Sequence, residues 1–109
     1  TVAGGVAKRV LIRAAGPTLA ALGVSDALGR PMLMLLEGTR VVAENSAWSA
    51  GSDGAQIAAV AAQVGAFAFA GGSADAALLL SLPPGNYTAQ ITGAGGTTGV
   101  ALVEVYELP

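Results

Sequence analysis

The chain has 109 residues, enough for one domain, and 53% of them are hydrophobic while only 11% are charged. An ordinary soluble domain carries roughly 25% charged residues, so this composition predicts that a partner covers part of the apolar surface. Five basic and seven acidic residues give a net charge of −2, and only Lys8, Arg9 and Arg13 cluster. No basic stripe of the kind that binds nucleic acid is present, and we predict no nucleic-acid partner.

Two further features of the composition narrow the class of protein. The chain has no Cys and no His, which excludes disulfides, thiol nucleophiles, the common zinc sites and the usual general base. The uncharged segment at residues 54–73 is mostly Ala and Gly, whereas Leu, Ile and Phe drive insertion into a bilayer. We therefore predict no membrane span, and we expect a mature or excised piece of a secreted protein.

The first half of the chain reads as three strands. A strand is predicted over residues 8–15, with Val10 and Ile12 on one face and Leu11 and Arg13 on the other, ended by a Gly-Pro pair. Residues 18–28 read as a loop with one helical turn. A second strand, expected to be buried on both faces, covers residues 31–37, and a tight turn returns the chain as a third strand over residues 40–47.

The second half begins with the one helix that the sequence predicts. Apolar residues follow helical spacing between residues 55 and 66, and Gly65 is a plausible stop, which predicts a helix over residues 55–64. Strands are then expected over residues 67–70, 76–82, 87–92 and 100–108. In the last of these, Val103 and Val105 are expected to face the core and Glu104 the solvent. The sum predicts an all-β antiparallel sandwich of six to eight short strands, formed by residues 1–109 as one module.

Several segments together resemble a known family. They are KRVLIRAAGPTLAALGV at residues 8–24, the strand and turn at 31–38, the loop that contains Trp48, and LPPGNYTAQITGAGGTTGVALVEVYEL at 82–108. They are similar to a module that recurs, often in tandem, in large secreted and cell-surface proteins of environmental bacteria. The resemblance covers nearly the whole chain. It implies a β-sandwich without assigned chemistry and a location outside the cell.

The chain departs from that family at its start. Family modules carry another apolar strand before the KRVLIR segment, whereas residues 1–5 here lie where such a strand would end. A missing strand leaves a sheet edge whose N–H and C=O groups can accept a strand from another chain. With the low charge, this predicts a non-catalytic extracellular module that self-associates into a fibre, stalk or tandem-repeat array. The residues expected at the contacts are Val2, Val6, Phe67 and Phe69.

The alternative function is a carbohydrate- or surface-binding accessory domain of a secreted enzyme. Its sugar platform would consist of Trp48, Tyr87 and Tyr106, although scattered aromatic residues in a sandwich more often pack in the core. A glycan is therefore the second candidate partner.

Metal binding and catalysis have weaker support. Glu44, Asn45, Asp53 and Asp75 lie in Gly- and Ser-rich loops and could supply oxygen ligands to Ca²⁺, but no D-x-D-x-D-G pattern is present. Loop hydrogen bonds and helix caps explain these residues more simply. We predict no cofactor, no metal site and no catalytic residue.

Overall fold

The computed structural model describes residues 2, 4–51 and 53–108, and these form six β-strands, two α-helices and one 3₁₀ turn at Ala94–Gly96. The helices are α1 (Pro17–Ala21) and α2 (Gly54–Gln63). The strands are β1 (Lys8–Ala15), β2 (Pro31–Glu37), β3 (Arg40–Asn45), β4 (Ala76–Leu82), β5 (Thr88–Gly93) and β6 (Leu102–Glu107). The predicted all-β sandwich is confirmed.

The strands form two antiparallel sheets of three. The first has the order β4-β1-β6 and the second β3-β2-β5. In the first sheet, Ile12 lies opposite Leu78 on one side and Val105 on the other. Within the described chain, the four outer strands β3, β4, β5 and β6 each have one hydrogen-bonded neighbour, and the opposite edge of each strand carries no second strand.

The core lies in two layers because the first sheet is covered on both faces. One cluster fills the space between the two sheets, and its buried members are Val10, Ile12, Ala14, Leu33, Leu35, Ala76 and Leu82. The second cluster fills the space between the first sheet and α2, and its buried members are Leu11, Trp48, Ile57, Val60, Ala61, Ala77 and Leu108. Burial on both faces explains why β1 reads as a nearly continuous apolar run rather than an alternating one.

Among the described residues, no helix or further sheet forms a layer on the outer face of the second sheet. Leu33 and Leu35 of β2 are fully buried, whereas Met32 and Met34 are half-buried. The prediction that β2 is buried on both faces is therefore wrong. The β2–β3 hairpin turns at Gly38, whose φ of +62° lies in the left-handed region that glycine adopts most easily.

The helical segments differ in part from the prediction. Helix α2 begins one residue earlier than the predicted start and ends at Gln63, with Gly65 at φ +77° just beyond it. The sequence indicated a single helical turn near residue 18, and the structure has α1 there. Neither helix of the described residues is long and apolar enough to cross a bilayer.

The predicted strand over residues 67–70 is wrong. This segment has no regular secondary structure, although its alternating Phe and Ala suit a strand. Its carbonyl groups bind side chains instead of a neighbouring strand. Phe67 O accepts a hydrogen bond from Arg13 Nη1 at 2.7 Å, and Ala70 O accepts one from Trp48 Nε1 at 3.1 Å.

Strand β6 also differs from the prediction. Val103 and Val105 lie on the face between the sheets, but 43% and 60% of their surfaces are exposed. The second sheet packs over β1 and β4 and leaves β6 uncovered. Glu104, expected in solvent, points to the opposite face, where its side chain is only 15% exposed and contacts Arg13.

A close backbone contact joins the end of β1 to the loop before β2. A Cβ atom added at Gly16 would lie 2.1 Å from the carbonyl oxygen of Leu28, so this position admits no side chain without movement of the backbone. A Cβ atom added at Gly29 would meet no heavy atom within 4 Å.

We expect Gly16→Ala to lower the free energy of unfolding by about 2 kcal/mol, because overpacking of a rigid contact costs about 1–3 kcal/mol. Urea unfolding measures this cost, and Gly29→Ala is the matched control, expected to stay within about 0.5 kcal/mol of the parent chain. Equal effects of the two substitutions would contradict the importance of this contact.

Candidate functional site

A buried arginine lies at the centre of the face that the first sheet turns toward α2. Arg13 is 1% exposed, and its Nε lies 3.1 Å from Glu104 Oε1 of the neighbouring strand β6. Its guanidinium carbon lies 3.8 Å from the ring centre of Phe69 and 4.7 Å from that of Phe67. A charge this deeply buried requires an opposite charge and polarizable neighbours, and this cluster supplies both.

The ion pair between Arg13 and Glu104 is close but poorly aligned. Although Nε and Oε1 are 3.1 Å apart, their geometry does not meet the angular requirement for a hydrogen bond, and Nη2 has no acceptor among the described residues. The attraction is therefore mainly coulombic. The other oxygen of Glu104 accepts a hydrogen bond from the Tyr106 hydroxyl at 2.6 Å. This bond, followed by burial and the nearby negative charge, raises the pKa of Tyr106.

The ion pair between Arg13 and Glu104 determines which side chains of β6 face the space between the sheets. Side chains alternate along a strand, so turning Glu104 and Tyr106 toward α2 turns Val103 and Val105 toward the space between the sheets. That space is open along β6. Val105 borders a groove of about 170 Å³ with Tyr87 and Ala89.

An exposed apolar strip follows from this arrangement. Among the described residues, seven large apolar side chains are clearly exposed, and four of them lie within six consecutive positions. We call these four the β6 surface: Val100, Leu102, Val103 and Val105. Leu102, Val103 and Val105 lie on β6, an outer strand whose far edge carries no neighbouring strand within the described chain, and Val100 lies two residues before β6. An apolar strip on an unpaired edge is a surface suited to association with another chain.

A second buried polar group, Asp75, lies directly before β4, at the end of the first sheet where β1 ends. Asp75 Oδ1 accepts hydrogen bonds from the backbone N–H groups of Gly16 at 2.7 Å and Thr18 at 3.1 Å. Asp75 Oδ2 accepts hydrogen bonds from the hydroxyls of Thr18 and Ser73, both at 2.6 Å. Burial alone would raise the pKa of Asp75, but these hydrogen bonds outweigh it and hold the pKa below its ordinary value.

The four residues predicted for self-association do not lie together. Val2 packs against the cluster between the sheets and exchanges two backbone hydrogen bonds with Gly85, of 2.7 and 2.8 Å. Val6 is 73% exposed. Phe67 and Phe69 are half-buried and cover Arg13 on the other side of the first sheet. The part of these four residues in self-association stays a prediction. The sequence did not indicate the β6 surface, because Val103 and Val105 were expected inside the core.

The aromatic residues considered for sugar binding are also separated. Trp48 is buried beside α2, and its Nε1 donates to Ala70 O and to Ser73 Oγ. Tyr106 packs in the same cluster, while Tyr87 packs between the two sheets. The three rings therefore share no surface.

Two of the four residues considered for calcium, Asp75 and Asn45, have internal partners. Both Asp75 oxygens are used as described, and Asn45 Oδ1 accepts a hydrogen bond from Ala77 N at 3.1 Å. Among residues 2, 4–51 and 53–108, no three Asp, Glu, His or Cys side chains cluster closely enough to hold a metal ion.

Comparison with known proteins gives no matching family model, no matching curated protein and no matching solved structure.

We expect Glu104→Gln to lower the free energy of unfolding by about 3 kcal/mol, because removing one partner leaves the buried Arg13 charge uncompensated. Glu107→Gln is the matched control on the same strand. Glu107 lies 4.0 Å from Lys8 with both side chains exposed, and its loss should cost no more than about 0.5 kcal/mol. Similar losses for the two variants in chemical unfolding would contradict a central role for the buried pair.

We expect Asp75→Asn to lower the free energy of unfolding by about 2 kcal/mol at neutral pH, because charge-assisted hydrogen bonds are lost. The folded-state pKa of Asp75 lies below 3.8, so its stabilisation is present above the unfolded pKa and is lost as pH falls through the folded value. The difference in free energy of unfolding between the parent chain and the variant should therefore be constant near neutral pH and should decrease below about pH 4.

The control for this experiment is Asp53→Asn. Asp53 occupies the N-cap position of α2 but makes no side-chain cap hydrogen bond. Its substitution should change stability by no more than about 0.5 kcal/mol at neutral pH. A gap for Asp75→Asn that persists undiminished at pH 2 would show that the carboxylate charge is not what stabilises the loops.

Proposed function

We propose that this chain is a non-catalytic structural module that acts outside the cell or on its surface and associates with copies of itself. The observation that carries the proposal is the β6 surface, an apolar strip on a strand with an unpaired edge. A charged fraction of 11% leaves little polar cover for a module that would remain a monomer. Association with like modules would remove this strip from water, and burial of apolar area drives such contacts.

The sheet topology supports assemblies larger than a pair. In both three-stranded sheets of the described chain, the two outer strands each keep one edge without a strand neighbour. A copy added at either side would extend a sheet by backbone hydrogen bonds, as in β-augmentation. A contact between two different edges can propagate into a fibre or a stalk, whereas a contact of one edge with the same edge of a copy closes as a pair.

The buried polar groups support a structural rather than a chemical role. Asp75 accepts hydrogen bonds from three residues that it holds together, and Glu104 is paired with Arg13 and Tyr106. Each carboxylate is thus committed to holding elements of the fold. No described observation favours the sugar-binding alternative, because Tyr87 packs between the sheets while Trp48 and Tyr106 pack in the cluster beneath α2.

Sedimentation velocity of the purified chain from low micromolar to near-millimolar concentration tests self-association. We expect the mean mass to rise with concentration, to rise further in sulfate, and to change little with added NaCl. Sulfate strengthens apolar burial, whereas NaCl screens charges that this contact does not use. Electron microscopy of the concentrated sample then distinguishes fibres from closed oligomers. A monomer at every concentration and in sulfate would refute the proposal.

A further inference from the structure

We infer that the contact between copies is formed by β6 of one chain and β6 of a second chain, paired antiparallel across a two-fold axis. This inference rests on the proposed self-association and specifies its interface. The occupant of the β6 edge is thus a second copy of this chain, and the first sheets of the two copies join into one six-stranded sheet.

The backbone of β6 has the groups needed for this pairing. Leu108 N donates to Arg9 O at 2.9 Å, in line with the register that pairs β6 with β1. In an antiparallel strand, the backbone N–H and C=O groups of successive residues point alternately to one edge and the other. Leu102, Glu104 and Tyr106 therefore direct their backbone groups toward β1. Val103 and Val105 therefore direct theirs to the free edge. The same two valines carry the exposed side chains.

A two-fold axis through Glu104 gives a matched register. Val103 then lies opposite Val105 of the partner subunit, and the symmetry repeats this pair. Each such pair exchanges two backbone hydrogen bonds and brings two β-branched side chains together. On the other face, Leu102 lies opposite Tyr106 of the partner subunit. The pairing therefore covers apolar side chains on both faces of β6.

The charges of β6 permit two copies to approach. Glu104 would lie opposite its own symmetry mate, and directly opposed like charges destabilise a sheet. Here each carboxylate is turned to the α2 face and is neutralised by Arg13 at 3.1 Å. Glu107, at the end of the strand, lies 4.0 Å from Lys8. The buried ion pair thus removes the repulsion that would keep two such strands apart.

The other three outer strands are less suited to pairing with a copy. Strand β3 carries Arg40 and Glu44 on exposed positions, and charges on an edge oppose strand addition. At the start of β4, Ala77 N already donates to Asn45 Oδ1. Three residues before β5, Gly85 exchanges backbone hydrogen bonds with Val2. These contacts leave β6 as the edge best fitted to a second copy.

A charge placed on the β6 surface tests the assigned interface. We expect Val105→Lys to raise the dissociation constant at least about tenfold, because pairing would bury two ammonium groups and lose two apolar contacts. Val41→Lys is the matched control, since Val41 is 44% exposed on another outer strand. It should leave the dissociation constant within about twofold of the parent value. Thermal unfolding followed by circular dichroism confirms that both variants fold.

Disulfide formation tests the pairing itself, because the parent chain has no cysteine. An equimolar mixture of Val103→Cys and Val105→Cys places the two thiols on opposed residues about 5.5 Å apart between Cα atoms, within the range of a disulfide. Either variant alone places like residues on a diagonal of about 7–8 Å, which is too far. We expect mild oxidation to give covalent dimers in the mixture, and few in either variant alone or in Val41→Cys.

The outcomes separate this inference from the proposed function. If the parent chain stays monomeric, the proposed function fails and this interface fails with it. If it associates but Val105→Lys associates equally well, self-association stands and the β6 interface is refuted. If Val105→Lys is monomeric but the cysteine mixture forms no covalent dimer, β6 binds a different strand and the two-fold pairing is refuted.

Discussion

The buried pair of Arg13 and Glu104 is the interaction on which the described arrangement depends most. It joins the central strand β1 to the outer strand β6, and Phe67 and Phe69 cover it. A buried charge must be paired, so this contact fixes which face of β6 points toward α2. The consequence on the other face is that two valines are presented to a space that the second sheet does not fill.

The sandwich is therefore closed along one side and open along the other. On the closed side, β3 packs against β4, and Asn45 of β3 bonds to Ala77 of β4. On the open side, grooves lie beside Val103 and Val105. A sandwich closed on both sides would bury these valines. In this chain they keep their apolar surface in contact with water, which gives the proposed association its driving force.

The buried pair affects both the stability of the fold and the association that we propose. Removing the charge of Glu104 would leave Arg13 unpaired in the interior, and it would also remove the reason for β6 to present its valines outward. Asp75 lies directly before β4, where it holds the start of α1 and the loop at Ser73. Each of the two carboxylates thus links segments that are distant in the sequence.

Much of the secondary structure could be predicted from local patterns. The bounds of β1, β2 and β4 are those predicted, because continuous apolar runs ended by Gly or Pro specify them locally. The outer strands β3 and β6 are shorter than predicted, and β5 begins and ends one residue later than predicted. The segment at residues 67–70 has the pattern of a strand, but Arg13 and Trp48 take its carbonyl groups.

The candidate site, like the secondary structure, could be predicted from the sequence only in part. The sequence by itself determined the low charge, the strand periods, the turns and therefore the β-sandwich, since these depend on neighbours within a few residues. It could not determine which face of β6 is covered, because alternation gives two faces without saying what lies over each. The tertiary structure decided that by pairing Glu104 with Arg13, 91 positions away in the chain, and by seating the second sheet over β1 and β4. The ion pair and the position of the second sheet both depend on contacts between residues distant in the sequence. For this reason Val103 and Val105, which were expected in the core, are exposed.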